Sequence, residues 1–196
     1  MAISRTPVLK RCDHLGISPL VLGYTHKPSI RRQKVARRRK QSEYARQLIE
    51  KQKLRFIYGV LEKQFKLIYD RAEKSTANTG ETLIKLLELR FDNVVYRLGL
   101  STTRRESRQR INHGHLELNG RRVDIPSVTL KVGDVITVSK KAKQALALTK
   151  FSQNRKIPSW LQFDDEKFEA RVISEPTRGD IDYEVKESAV IEFYSK

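Results

Sequence analysis

Apolar residues return every three or four positions through much of the first half of the chain and every second position beyond residue 115. The first period predicts a helix over residues 42–59, SEYARQLIEKQKLRFIYG, with Ser42 as its N-cap and a break at Gly59. A second helix, VLEKQFKLIYDRAEK, should follow directly, with Val60, Leu61, Phe65 and Ile68 facing a core. Phe56, Phe65 and Tyr69 read as core aromatics, whereas Tyr44 and Tyr58 lie near basic positions and could reach a ribose or a phosphate. A third helix is expected from about Thr79 to Gly99. Its apolar stripe is Leu83, Leu87, Phe91, Val94 and Leu98, widened by Ile84 and Val95. Arg90, Asn93 and Arg97 share one edge of that stripe, Asp92 points away from it as a solvated carboxylate, and Gly99 suits the C′ position.

A fourth helix should open at Thr103, where Thr103 and Glu106 have capping-box spacing, and end near Gly114. Arg104, Arg105, Arg108, Gln109 and Asn112 then share a face about 140° wide, and Ser107 and Ile111 turn inward. Beyond it HLELNGRRVDI alternates around Asn119-Gly120, a strong hairpin signal. Leu116 and Leu118 should face Val123 and Ile125. SVTLKVGDVITVS predicts a second strand pair around Gly133-Asp134, and residues 140–157 a connector. PSWLQFDDEKF and EVKESAVIEFYSK read mostly as short strand or turn. The proline- and glycine-punctuated first 30 residues should hold short elements.

Charge changes this picture most. The 196 residues carry a formal charge of +17, with 40 Lys and Arg against 23 Asp and Glu. Residues 1–56 hold a net +12, 57–89 are neutral, 90–160 hold +10 and 161–196 hold −5. Seven Lys and Arg fall within residues 31–40, a block that repels itself until a polyanion neutralises it. Two separated basic regions suggest an extended anion held at two places. With hydrophobic residues at 38%, two small cores are expected rather than one large one.

Catalysis has little support. One cysteine excludes an internal disulfide and, within this chain, a four-cysteine or two-cysteine, two-histidine zinc module. Cys12, His14 and His26 are loosely spaced, and His113 and His115 supply at most two ligands; a surface or RNA-contacting imidazole is the stronger reading of that pair. There is no glycine-rich phosphate loop and no Gly-x-Ser-x-Gly elbow. No run of about 18 apolar residues suggests a membrane span, and the first residues lack the apolar core of a secretory signal. A capped helix with arginines on one side, next to a hairpin bearing Asn119, Gly120 and Arg121, instead predicts a cationic surface for structured RNA.

Residues 82–138, TLIKLLELRFDNVVYRLGLSTTRRESRQRINHGHLELNGRRVDIPSVTLKVGDVITV, resemble the alpha-L RNA-binding domain. SEYARQLIEKQKLRFIYGVLEKQF upstream and the ending VIEFYSK resemble the bacterial-type small-subunit ribosomal protein S-four family. The resemblance implies an α+β protein. A helical first domain (42–89) is completed by the C-terminal tail (about 158–196). An inserted alpha-L domain (90–157, with the connector) holds two helices and a small, mainly antiparallel sheet, and residues 1–41 form a basic, largely irregular extension.

The resemblance also implies binding to a helix junction in the five-prime domain of small-subunit ribosomal RNA, and help in nucleating subunit assembly. It implies a place near the messenger RNA entry channel, beside protein S-five and with S-three as a further candidate neighbour, and a bearing on translational accuracy. No enzyme activity, cofactor, small-molecule substrate or membrane partner is expected, and the location would be the cytoplasmic ribosome, an organellar one being left open. The RNA-contacting set is Arg31, Arg32, Arg37, Arg38, Arg39, Lys40, Tyr44, Gln47, Lys51, Lys53, Arg55, Tyr58, Arg97, Thr103, Arg104, Arg105, Arg108, Gln109, His113, Gly114, His115, Asn119, Gly120 and Arg121. Two departures stand out. Many members carry a zinc-binding cysteine cluster near the N-terminus where this chain has Cys12, so no zinc is expected. Arg110 replaces a usually apolar residue, so the fourth helix should pack more lightly.

Overall fold

A computed structural model of the chain describes residues 7–25, 42–139, 142 and 156–195. The backbone forms two compact units, one taking the chain up to Glu62 and from Asp182, the other Lys63–Ile181. No described helix is long and apolar enough to cross a membrane.

The first unit opens with helix α1 (Val8–Leu15) and a 3-10 turn at Pro19–Leu22. Helix α2 (Glu43–Tyr58) begins where Ser42 Oγ accepts the Ala45 N–H at 3.2 Å. It ends at Gly59, whose φ of 61° is left-handed. The tail contributes a helix, Glu187–Tyr194, which we call α7 and which packs on α2. The expected strand or turn is overridden there. Val190 is fully buried, and Lys51 lies under the Phe193 ring, 4.4 Å from its centroid.

In the second unit, α3 (Glu62–Glu73) buries Phe65, Ile68 and Tyr69, but Leu61 just before it is 49% exposed rather than in a core. The single helix expected over 79–99 is two helices, α4 (Thr79–Glu88) and α5 (Phe91–Arg97). The interruption has a long-range cause. The N–H groups of Phe91 and Asp92 donate to Val128 and Pro126 carbonyls at 2.8 and 3.0 Å, and Leu130 N–H donates to Leu89 O at 2.8 Å. Arg90 is therefore extended and bridges Thr129. This same pairing takes residues 126–130 away from the strand pair predicted around Gly133-Asp134.

Helix α6 (Arg104–Asn112) leads into a five-stranded antiparallel sheet of order β2-β1-β3-β5-β4. Its strands are β1 (Leu116–Leu118), β2 (Arg121–Arg122), β3 (Val135–Val138), β4 (Leu161–Asp164) and β5 (Glu169–Val172). Asn119 and Gly120, with φ of 51° and 74°, close the β1–β2 hairpin. Asn119 also accepts the Val135 N–H and donates to Asp134, both at 2.9 Å, tying the turn to the start of β3.

Residues 161–172 join this sheet rather than the helical part of the tail. Leu161, Ala170 and Val172 alternate inward and pack with Trp160, Phe91, Leu98, Ile111 and Ile136 in one core. The two compact units divide at residues 62/63 and 181/182. Ile125, expected to face Leu116 and Leu118, is 56% exposed.

Candidate nucleic-acid interface

The N-terminus of α6 is capped as its spacing predicts, with one change. Thr103 Oγ1 accepts the Glu106 N–H at 3.2 Å, but the Glu106 carboxylate reaches Thr102, taking both its N–H and its hydroxyl at 2.7 Å. Glu106 also takes Arg110 Nε at 3.0 Å, so the arginine at the usually apolar position lies along its own helix. Burial alone would raise the Glu106 pKa. The hydrogen bonds from Thr102 and Arg110, together with the Arg110 charge, outweigh it and hold the carboxyl below its usual value. Ser107 and Ile111 are fully buried, as expected, and the Ser107 hydroxyl is hydrogen bonded to that of Ser101.

The arginines of the predicted fan divide into two groups. Arg105 and Gln109 are exposed. Arg104 is buried: Nε donates to Asn93 Oδ1 at 2.8 Å and the guanidinium lies 4.2 Å from the centroid of the Tyr96 ring. Arg108 lies between, its side chain 20% exposed and its Nε on Asp92 Oδ2 at 2.6 Å. Arg97, another expected contact, is buried and donates from Nε and a terminal nitrogen to Glu88 at 3.1 and 2.8 Å.

Beneath α6 therefore lies a polar layer built on two carboxylates. Glu88 takes Arg97 and also Asn93 Nδ2, at 2.7 Å, and Asn93 turns its oxygen to Arg104. Asp92 is not the solvated carboxylate that helix periodicity suggests. Its side chain is 1% exposed and takes Arg90 through two bonds of 3.1 and 3.0 Å as well as Arg108. The interruption at residues 89–90 turns α5 so that its polar edge faces α6. Glu88, Asp92 and Asn93 are the organising residues that sequence reasoning missed, because, apart from Arg90 beside Asp92, their side-chain partners lie on another helix.

At the other end of α6, His113 is exposed and its ring centroid is 5.8 Å from that of His115. Burial lowers the His115 pKa, and His113 and Arg110 lower it further. Gly114, at φ +68°, has the Arg122 side chain so close that a Cβ would fall 2.1 Å from its Nε. Arg122, outside the sequence-derived set, thereby joins the hairpin to the helix end. Asn119, Gly120 and Arg121 are exposed beside it in sequence.

In the first unit most of the expected contacts turn onto the C-terminal tail. Gln47 is buried and donates to Glu192 at 2.9 Å. Lys51 is buried and pairs with Glu62 at 2.6 Å; Arg55 meets the same carboxylate at 2.9 Å, and Lys53 pairs with Glu50 at 2.6 Å. Tyr58, expected near ribose or phosphate, is 1% exposed with its hydroxyl bonded to that of Tyr183. Tyr44 is 57% exposed, its ring tilted 33° to that of Phe193 with the centroids 5.6 Å apart. Burial would raise the Glu62 pKa, but hydrogen bonds from Lys51 and Tyr194 and the charges of Lys51 and Arg55 lower it. His26, Arg31, Arg32, Arg37, Arg38, Arg39 and Lys40 lie outside the described residues. Among the described residues no three His, Cys, Asp or Glu side chains are grouped to hold a metal ion.

Residues 89–136, which include α6 and the basic hairpin that continues it, match the family model of the S4 domain. Residues 5–88 match that of the ribosomal protein S4/S9 N-terminal domain. The whole chain is 46% identical over 196 residues to small ribosomal subunit protein uS4 of Fusobacterium nucleatum, covering 100% of both. It is 47% identical to that of Lachnospira eligens and 46% identical to that of Halothermothrix orenii, again over 100% of each chain. The chain belongs to the uS4 family of small ribosomal subunit proteins. These relatives carry the name of a ribosomal subunit protein and not of an enzyme.

Proposed function

We propose that this protein is a structural constituent of the small ribosomal subunit that binds small-subunit ribosomal RNA at a helix junction of the five-prime domain and helps nucleate assembly. In this reading it lies near the messenger entry channel, touches the neighbouring protein S-five, and bears on decoding accuracy. Its family supports the ribosomal part of this reading. The observation that carries the RNA contact is the placement of Arg122 against Gly114, which makes the outer face of α6 and the β1–β2 hairpin continuous. Arg105, His113, Arg121 and Arg122 are all exposed along that run. Such a surface suits backbone and shape recognition of folded RNA, where phosphate contacts set affinity and its salt dependence.

The test is a salt series of filter-binding measurements with the full chain and a five-prime-domain transcript. Replacing Arg105 and Arg121 with Ala should weaken binding and flatten the plot of log K against log salt by about 0.7–0.9 for each lost phosphate contact. An unchanged slope would mean that these side chains do not face phosphate.

A further inference from the structure

We propose that Asp92 is a positioning residue for RNA binding, holding the Arg108 guanidinium in the orientation in which α6 presents it to phosphate. The inference rests on the reading that α6 contacts RNA and adds the buried group that prepares the contact.

Asp92 is unusually well fixed. Its own N–H is held by Pro126 O at 3.0 Å, and that of Phe91 by Val128 O at 2.8 Å, so the backbone beneath the carboxylate is tied to residues 126–130. The carboxylate plane is set by Arg90, whose Nε meets Oδ1 at 3.1 Å and whose terminal nitrogen meets Oδ2 at 3.0 Å. Oδ2 then takes Arg108 Nε at 2.6 Å. The Asp92 side chain is 1% exposed and that of Arg108 is 20% exposed, so the arginine runs from a buried anchor to the surface.

An arginine ordinarily loses rotamer freedom when it meets a phosphate, and that loss weakens binding. An arginine already held through Nε has given up that freedom on folding. Because the guanidinium is planar, fixing one edge also fixes the plane in which its other N–H bonds lie. A lysine ammonium has three donors but no plane, so a bond to the carboxylate would not set the direction of the others.

The test is a double-mutant cycle on the full chain with a five-prime-domain transcript, with folding monitored by Trp160 fluorescence. Asp92→Asn should weaken binding about three- to tenfold, the cost of ordering one freed side chain. Its salt slope should stay unchanged, because no cation is removed. In an Arg108→Ala background the same change should matter less than about twofold. Equal steps in both backgrounds would overturn the positioning role while leaving the Arg108 contact standing. Wild-type affinity and slope in Arg108→Ala would instead remove the reading on which the proposal rests.

The Arg108 Nε–H resonance in the free protein gives a direct readout, expected to exchange slowly and to lose that protection in Asp92→Asn. Weakened binding with that resonance unchanged would overturn the proposal. Should Asp92→Asn not hold its fold, Arg108→Lys decides: it keeps the charge and should bind about three- to tenfold more weakly at an unchanged slope. Wild-type affinity there would refute the role.

Discussion

Replacing Glu88 with Gln tests the buried polar layer most directly. The Glu88 side chain is 2% exposed and takes three N–H groups, one from Asn93 at 2.7 Å and two from Arg97 at 3.1 and 2.8 Å. Glutamine keeps one of the two acceptor oxygens and turns an amide donor toward donors. Hydrogen bonds to charged groups contribute about 1.5–3 kcal/mol each. The Arg97 charge, its side chain 7% exposed, would also lose the anion that offsets its desolvation. Removing one partner of a buried pair costs about 3–5 kcal/mol, a large part of the ~5–15 kcal/mol that holds a typical domain folded. At a urea slope of about 2 kcal/mol/M the midpoint should fall by about 1.5–2.5 M.

The assay is urea unfolding followed by Trp160, the single tryptophan of the chain, which is 1% exposed in the core of the second unit and so reports on that unit. Changing Glu88→Leu and Arg97→Met together should recover most of the loss, because an apolar pair leaves no buried charge behind. A midpoint shift below about 0.5 M in Glu88→Gln would refute the reasoning. So would a double variant no more stable than the single one.

Other expectations follow from the same geometry. Gly114→Ala should destabilise the second unit by about 1–2 kcal/mol, since a non-glycine residue must adopt a left-handed backbone there, and it must displace Arg122. Urea midpoints together with RNA affinities compared with Arg122→Ala check both effects, and unchanged stability would count against the assigned backbone. His115 titrates at a lower pKa folded than unfolded, so between the two values the unfolded chain holds more protons and stability rises with pH. The urea midpoint should therefore drop as pH falls from 7.5 through about 6.5 toward 5.5, and His115→Gln should remove part of that drop. Glu62, Glu106 and Asp180, all with lowered values, act further down, below the ordinary carboxylate range. Lys51→Ala should loosen α7 from α2 by about 1–3 kcal/mol, between the surface and buried limits for an ion pair. Faster amide exchange across Glu187–Tyr194 than across α1 would register it, and equal change in both would refute it.

Features decided by neighbours in sequence were legible from the sequence. Ser42 and Thr103 cap their helices with their own side chains, and Asn119-Gly120 turns the hairpin with its own backbone. Such signals lie within a few residues of the structure they cause. The division of the arginines was not legible, because a helical wheel places Arg104 and Arg105 on one face, while burial depends on Asn93 and Tyr96 from another helix. The break at residues 89–90 needed knowledge of residues 126–130. The tail helix was hidden by β-favouring residues in VIEFY, whose helical state depends on docking against α2. Tyr58 looked like an RNA contact beside lysines until Tyr183, 125 residues away, covered it.

The strap that interrupts α4 and α5 also sets a timetable for synthesis. Leu89, Phe91 and Asp92 find their backbone partners some 35–40 residues later, and β3 gains its second neighbour at Glu169–Val172. A nascent chain that has delivered α6 still lacks the strands that complete the apolar core into which Ile111 packs. Contacts so distant in sequence form late. The growing polypeptide therefore carries its arginines with their side-chain partners, Glu88, Asn93 and Asp92, already made, while the sheet beside them is complete only once residues 169–172 have been added.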